Sequence, residues 1–299
     1  MLGPGIITGA SDDDPSGIAT YSQAGAAFGT QLLWTSIFAS PLMISIQEMC
    51  ARIGLVTGRG ITGVLRKHYH KSLLYPLAVL TVAANTLNIA ADINAMASAT
   101  HLLIPVPPWL LSIFFSALIV AFMILMPYRI LAKYLKWLTL ILFCYIVLPF
   151  VVHVPWKEVI FHSLIPTMQW TKDSAMILVA ILGTTISPYL FFWQASLEVE
   201  QKKSLASHIL EHWIVTKSEI SNMRKDVVFG MLFCCIAMWF IMLTTGITLN
   251  RNGILNIRTA QDAAEALRPI AGEYAYILFT LGIIGTGLLA IPVLAGSSS

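Results

Sequence analysis

Charged side chains are what this sequence has least of. Lys, Arg, Asp and Glu make up 11% of its 299 residues and hydrophobic residues 57%, against about 25% charged in soluble domains. That excludes a soluble globular fold. Cysteine is scarce as well. Cys50, Cys144, Cys234 and Cys235 show no spacing of a disulfide framework or zinc site, and they read as buried, unreactive thiols. No Gly-rich phosphate loop, nucleophile elbow or His-Glu-x-x-His run is present, and the first residues lack the basic start and cleavage site of a signal peptide. Nothing suggests an enzyme, a nucleic-acid patch, an organic cofactor or a soluble domain.

What fills the chain is one apolar run after another, each long enough, at about 20 residues, to cross a bilayer. The expectation is a single all-α polytopic membrane domain over residues 1–299 with about eight spans. These are 2–30 (broken at 11–17), 31–55, 73–103, 108–127, 130–154, 175–201 (broken near 184–188), 227–249 and 274–296. Residues 54–71 form a basic connector, 202–226 a polar surface helix and 250–273 a longer polar loop. With the N-terminus inside, thirteen Lys and Arg lie in inner connectors, including Arg129, Lys133 and Lys136, and five in outer ones. The positive-inside rule therefore places the N-terminus in the cytoplasm of a cell-membrane protein.

The organising stretch is Gly9-Ala-Ser-Asp12-Asp13-Asp14-Pro15-Ser16-Gly17. A charge in hydrocarbon costs about 2.5–3.5 kcal/mol on insertion scales, so three adjacent carboxylates cannot face lipid. Proline removes a backbone donor, and Ser and Gly beside it are poor helix formers. The stretch reads as a membrane helix broken near its middle, with a short amphipathic N-terminus and acidic surface loop as the plainer alternative. A second interruption, Gly183-Thr-Thr-Ile-Ser187-Pro188-Tyr189, would alone be an ordinary proline kink. Two breaks five spans apart are the pattern of inverted five-helix repeats facing each other at the membrane midplane, here 1–154 and a partial repeat over 175–299. A carboxylate on one break and freed carbonyls and hydroxyls on the other make an oxygen-rich site. Such a site suits a hard divalent cation.

Asp14-Pro15-Ser16-Gly17-Ile-Ala-Thr-Tyr-Ser-Gln-Ala-Gly-Ala resembles the first-helix motif, Asp-Pro-Gly-Asn, of the Nramp (natural resistance-associated macrophage protein) family of divalent-metal transporters. Gln31-Leu-Leu-Trp34 and Ala51-Arg-Ile-Gly-Leu-Val-Thr-Gly-Arg59 are similar to its second helix and following loop. Ala90-Ala-Asp92 is similar to its third helix, and Gly183 to Tyr189 takes the place of its Met-Pro-His motif. The resemblance implies a LeuT-like fold with metal held between helices one and six by Asp14, Gly17, Thr184 and Ser187, the metal being substrate and no cofactor being needed. Asp12, Asp13, Tyr189, Asp92 and Gln194 become accessory polar, proton or entry-pathway residues. It also implies departures. The family's amide ligand maps to Gly17, its thioether to Ser187, its histidine to Tyr189 and a third-helix carboxylate to Ala95. Losing soft and charged groups together points to a roomier site of harder ligands, as in the Nramp-related magnesium transporters, with Mn2+ still open and proton coupling weak or absent. Family members commonly have eleven spans, so a C-terminally incomplete chain is expected.

Other residues carry plainer readings. Asp92 serves either a proton or water pathway or a structural hydrogen bond. Glu48 pairs with Arg52 at i,i+4 or forms a gate. Asp12 and Asp13 either recruit cations at an entrance, bind one at a second position, or are simply solvated in a vestibule. Gln194 and Tyr21 reach a cavity or pack helices. His101, His153 and His162 lie at outer helix ends, and Trp109, Trp156 and Trp170 form an aromatic belt. The rivals are a LeuT-like carrier of a small organic cation or amino acid and an intramembrane aspartyl protease using Asp14 and Asp92. The expected partners are the divalent ion and the lipid bilayer. Oligomeric state is not legible.

Overall fold

The computed structural model describes residues 3–125, 134–135, 137–147, 149, 154–205 and 213–297. The first apolar run does not form one helix. Helix α1 (Pro4–Asp12) stops, Asp13 and Asp14 leave helical geometry, and α2 (Pro15–Phe28) restarts. The cause is local. Asp14 sits in extended conformation as the N-cap of α2, its carboxylate accepting from the Gly17 N–H, and Pro15 fills the first helical position, where a missing N–H does no harm.

Then come α3 (Trp34–Thr57), α4 (Ile61–His68), α5 (Lys71–Leu103) and α6 (Pro108–Leu125). A 3-10 turn over Thr139–Leu142 leads into α7 (Phe143–Val147), followed by α8 (Trp156–Leu164). The second interrupted helix is α9 (Lys172–Thr185) and α10 (Pro188–Leu205), with Ile186 and Ser187 between them. Helices α11 (Lys217–Thr248) and α12 (Ala260–Ser297) complete the described chain, α12 bending where Gly272 takes a φ of 86°. Among the described residues, five runs are long and apolar enough to cross a membrane: Lys71–Leu103, Pro108–Leu125, Lys172–Lys203, Lys217–Asn252 and Gly272–Ser297.

Four connectors differ from the sequence reading. The basic connector folds into α4, whose last turn carries Arg66, Lys67 and His68 beside the negative end of the helix dipole. The link at 155–174 contains α8. The polar residues 217–226 are the first turns of α11, started by a capping box between Thr216 and Glu219, rather than a separate surface helix. The expected loop at 250–273 is also largely helix, because Thr259 and Asp262 cap each other and start α12. The expected span 130–154 is described only in part, and Arg129, Lys133, Lys136 and His153 lie outside the described residues.

Helix α11 holds the two halves of the first broken helix in line. Its N-terminal half meets α1 at glycines, where a β-carbon on Gly9 would collide with the Gly230 carbonyl and one on Gly230 with the Gly5 carbonyl. Its C-terminal half meets α2, where a β-carbon on Gly25 would strike Thr245. Small residues four apart let backbones touch, which is how membrane helices gain packing energy where lipid is as apolar as leucine. Asp226 on α11 also accepts from the Gly3 and Gly5 N–H groups at 2.7 and 2.6 Å, satisfying α1's first donors. The unbroken helix therefore acts as a splint, and the gap between α1 and α2 opens away from it.

Candidate metal centre

The two interruptions meet. The Tyr189 hydroxyl, one residue into α10, donates to the Ser11 carbonyl at 3.0 Å, one of the acceptors that α1 leaves free at its end. Tyr21 on α2 and Thr185 at the end of α9 join hydroxyls at 3.2 Å. A β-carbon on Gly17 would lie 3.2 Å from the Thr184 Oγ1, so glycine there lets α2 and α9 close up. Beside the junction is a cavity of about 320 Å³ lined by Ser16, Thr20, Asn88, Thr184, Ser187 and Tyr189, among others.

Asp14 stands at the centre, 2% exposed. Its Oδ1 accepts from the Gly17 N–H at 2.6 Å and the Ser16 hydroxyl at 2.7 Å. Its Oδ2 accepts from the Asn88 amide at 2.8 Å and, at 3.4 Å, from Tyr189. Opposite, the Ser187 hydroxyl donates to the Thr184 carbonyl at 2.6 Å, and both residues line the cavity. A cation here would meet one carboxylate, the negative ends of α1 and α9 and neutral oxygens. Among the described residues no three His, Cys, Asp or Glu side chains converge on one point.

Asp92 is fully buried on α5, and its Oδ1 accepts from the Ser16 N–H at 3.2 Å. It thereby caps α2 from a neighbouring helix, the structural reading of this residue. Its Oδ2 has no partner among the described residues. Ser16 thus links the two carboxylates, donating from its side chain to one and its backbone to the other.

Several predicted site residues sit elsewhere or act otherwise. Asp12 and Asp13 are fully buried, so neither a solvated vestibule nor an entrance describes them. They point toward α11, where the Cys234 thiol donates to Asp12 Oδ2 at 3.1 Å. Gln194 does not reach the cavity. It is fully buried two turns into α10, donating to Glu198 at 2.8 Å. Gly17 offers its N–H to Asp14. Tyr21 packs helices rather than lining the cavity.

Glu48 does pair with Arg52, and Arg224 on α11 joins it at 2.9 Å. The four cysteines are free thiols. His162 hydrogen-bonds Thr30 at 2.6 Å just past the C-terminal end of α2, and His101 the Val106 carbonyl at 2.8 Å. Trp109, Trp156 and Trp170 are exposed, as belt residues are. Sequence reasoning missed Asn88. Its signal was the spacing Asn85, Asn88, Asp92, a polar stripe on one face of an otherwise apolar helix.

Comparison with known proteins agrees with this geometry. A model of the natural resistance-associated macrophage protein-like family matches residues 5–299. Two proteins called divalent metal cation transporter MntH, from Klebsiella pneumoniae strains 342 and ATCC 700721 / MGH 78578, are 25% and 26% identical, each over 98% of this chain and 69% of the relative. The crystal structure of a manganese transporter from Eremococcus coleocola, in complex with an aromatic bis-isothiourea substituted compound, superposes with a TM-score of 0.76 at 17% identity. It covers 99% of this chain, which in turn spans 65% of the solved one. At that identity the likeness speaks for the fold, which is the arrangement of two interrupted helices expected from the sequence.

Proposed function

Since this chain belongs to the natural resistance-associated macrophage protein-like family, we propose that it carries a hard divalent cation of the Mg2+ and Mn2+ class across a cell membrane. The observation that carries the reading is Asp14 at the crossing of two broken helices, beside a cavity lined by hydroxyl, amide and carbonyl groups. Oxygen donors suit Mg2+, Ca2+ and Mn2+, whereas sulfur would favour softer metals. The Met43 and Met238 sulfurs are engaged with Cys235 and Thr185, and none of these four residues lines the cavity.

In this reading Asp14 Oδ2 binds the ion, Thr184 and Ser187 supply neutral oxygens, and the remaining space lets the ion keep several waters, as Mg2+ prefers. The residues from 1 to 154 and from 175 onward act as two inverted repeats that rock about the site, with the N-terminus cytoplasmic. A carboxylate at the site opposes an amino-acid substrate, whose own carboxylate would seek a helix N-terminus already occupied by Asp14. Asp14 and Asp92 are each engaged in capping α2, which gives no support to a hydrolytic pair.

Uptake into liposomes loaded with Mg2+- and Mn2+-sensitive dyes and a pH dye tests the proposal. It predicts uptake of either ion, abolished in Asp14→Ala, with little acidification. Absence of uptake of both ions by the wild-type protein contradicts it. Strong acidification coupled to Mn2+, with Mg2+ inert, contradicts the hard, weakly coupled form.

A further inference from the structure

Asn88 on α5 occupies the one part of Asp14 that a cation needs. Of the two carboxylate oxygens, Oδ1 is fixed by the Gly17 N–H and the Ser16 hydroxyl. Oδ2 has two visitors. Tyr189 has a single proton, directed at the nearer Ser11 carbonyl, 3.0 Å against 3.4 Å. Among the described residues the Asn88 amide at 2.8 Å is therefore the only close donor on Oδ2, and Asn88 is half-buried on the cavity wall.

The other end of the amide is equally informative. Ser16 Oγ lies 2.7 Å from Asp14 Oδ1 and 2.9 Å from Asn88 Oδ1, yet a serine hydroxyl has one hydrogen to give. In the orientation with Nδ2 on Asp14, Ser16 must divide that hydrogen between two acceptors. Turn the amide over, and Nδ2 donates to Ser16 while Ser16 donates wholly to Asp14 Oδ1. Every hydrogen then has one acceptor, but two oxygens, Asn88 Oδ1 and Asp14 Oδ2, face each other at hydrogen-bond distance. A cation beside both oxygens makes that arrangement favourable, as would a proton held between them.

We propose that Asn88 is a ligand of the transported cation and a two-position switch. Without the ion its amide N–H2 takes the cation's place on Asp14. With the ion the amide rotates about its last torsion by about 180° and presents Oδ1 to the metal. This restores from α5 an amide oxygen that Gly17 cannot supply, and it keeps the Asp14 carboxylate hydrogen-bonded when the site is empty. The inference rests on the divalent-cation reading above.

The test is calorimetric titration of the purified protein with MgCl2, MnCl2 and CdCl2 for wild type, Asp14→Ala, Asn88→Leu, Asn88→Asp and Asn88→Cys. Even outer partners of metal ligands change affinity by about 10–100-fold when removed, so Asn88→Leu is expected to weaken Mg2+ and Mn2+ by at least about tenfold. Asn88→Asp is expected to retain binding. Asn88→Cys should raise the preference for Cd2+ over Mg2+ by about tenfold or more, because sulfur in contact with the ion selects a softer metal. A residue that only braces Asp14 would not move that preference. If Asn88→Leu does not fold, the Cys variant decides. Wild-type affinity in Asn88→Leu, or an unchanged metal order in Asn88→Cys, overturns the inference while Asp14→Ala still abolishes binding. Failure of the wild type to bind any of the three ions overturns the underlying reading instead.

Discussion

Tyr189 Oη and the Ser11 carbonyl lie 3.0 Å apart and join the second broken helix to the end of the first. Each group answers a need of the other. A helix that stops inside a membrane leaves carbonyls without partners, and a buried tyrosine needs an acceptor for its proton. Both residues are almost wholly buried, so no bulk water replaces the bond.

Tyr189→Phe removes that donor and leaves the Ser11 carbonyl unsatisfied, which costs about 1–3 kcal/mol for a buried acceptor. The expected result is a lowered unfolding midpoint in detergent, read by a thermal shift of tryptophan fluorescence. It should come with tighter rather than weaker cation binding, because the freed carbonyl adds an oxygen to the site. An unchanged midpoint contradicts the linkage of the two breaks.

Gly230 is where α11 touches α1. A side chain there meets the Gly5 carbonyl and the Ile6 backbone, atoms that cannot step aside without moving α1. Gly230→Val is expected to destabilise the protein by at least about 1–3 kcal/mol, the usual scale for overpacking, and to reduce its yield as monodisperse material. Gly183→Ala, with open space around its β-carbon position, should be tolerated. Equal behaviour of the two variants, judged by size-exclusion profile and unfolding midpoint, would contradict the splint role of α11.

Ser187 takes the place where a thioether would soften the site. Ser187→Met puts sulfur beside the cavity and should shift selectivity from Mg2+ toward Mn2+ and Cd2+ by roughly tenfold, equivalent to about 1.4 kcal/mol. Competition titrations at fixed Mn2+ read the change. No shift in ion order places the ion away from α9.

How much of this was legible in the sequence follows from where each signal resides. Both breaks are visible because Asp14-Pro15 and Ser187-Pro188 carry their own cause: a capping side chain and a residue that cannot continue a helix. Asp14 at the junction is legible for the same reason. Asn88 is not, because its importance depends on the rotation of α5 about its axis. Asn85 and Asn94 look alike in sequence, yet Asn85 turns to Leu294 and Ser297 on α12.

The burial of Asp12 and Asp13 was hidden for a related reason. Hydropathy sends carboxylates to water, whereas α11 brings Cys234 against Asp12 from 222 residues away. The helices α4 and α8 escaped because they are short and amphipathic, without the apolar length that marks a span.

The most direct measurement is the affinity of the purified protein for Mn2+ and Mg2+, wild type against Asp14→Asn, with folding of both checked by the same unfolding midpoint. Asparagine keeps an oxygen for the Gly17 N–H and removes the charge. The account predicts saturable binding of both ions to the wild type and a loss of at least about a hundredfold, some 2.7 kcal/mol, in the folded variant. Equal affinities in the two folded proteins would contradict it.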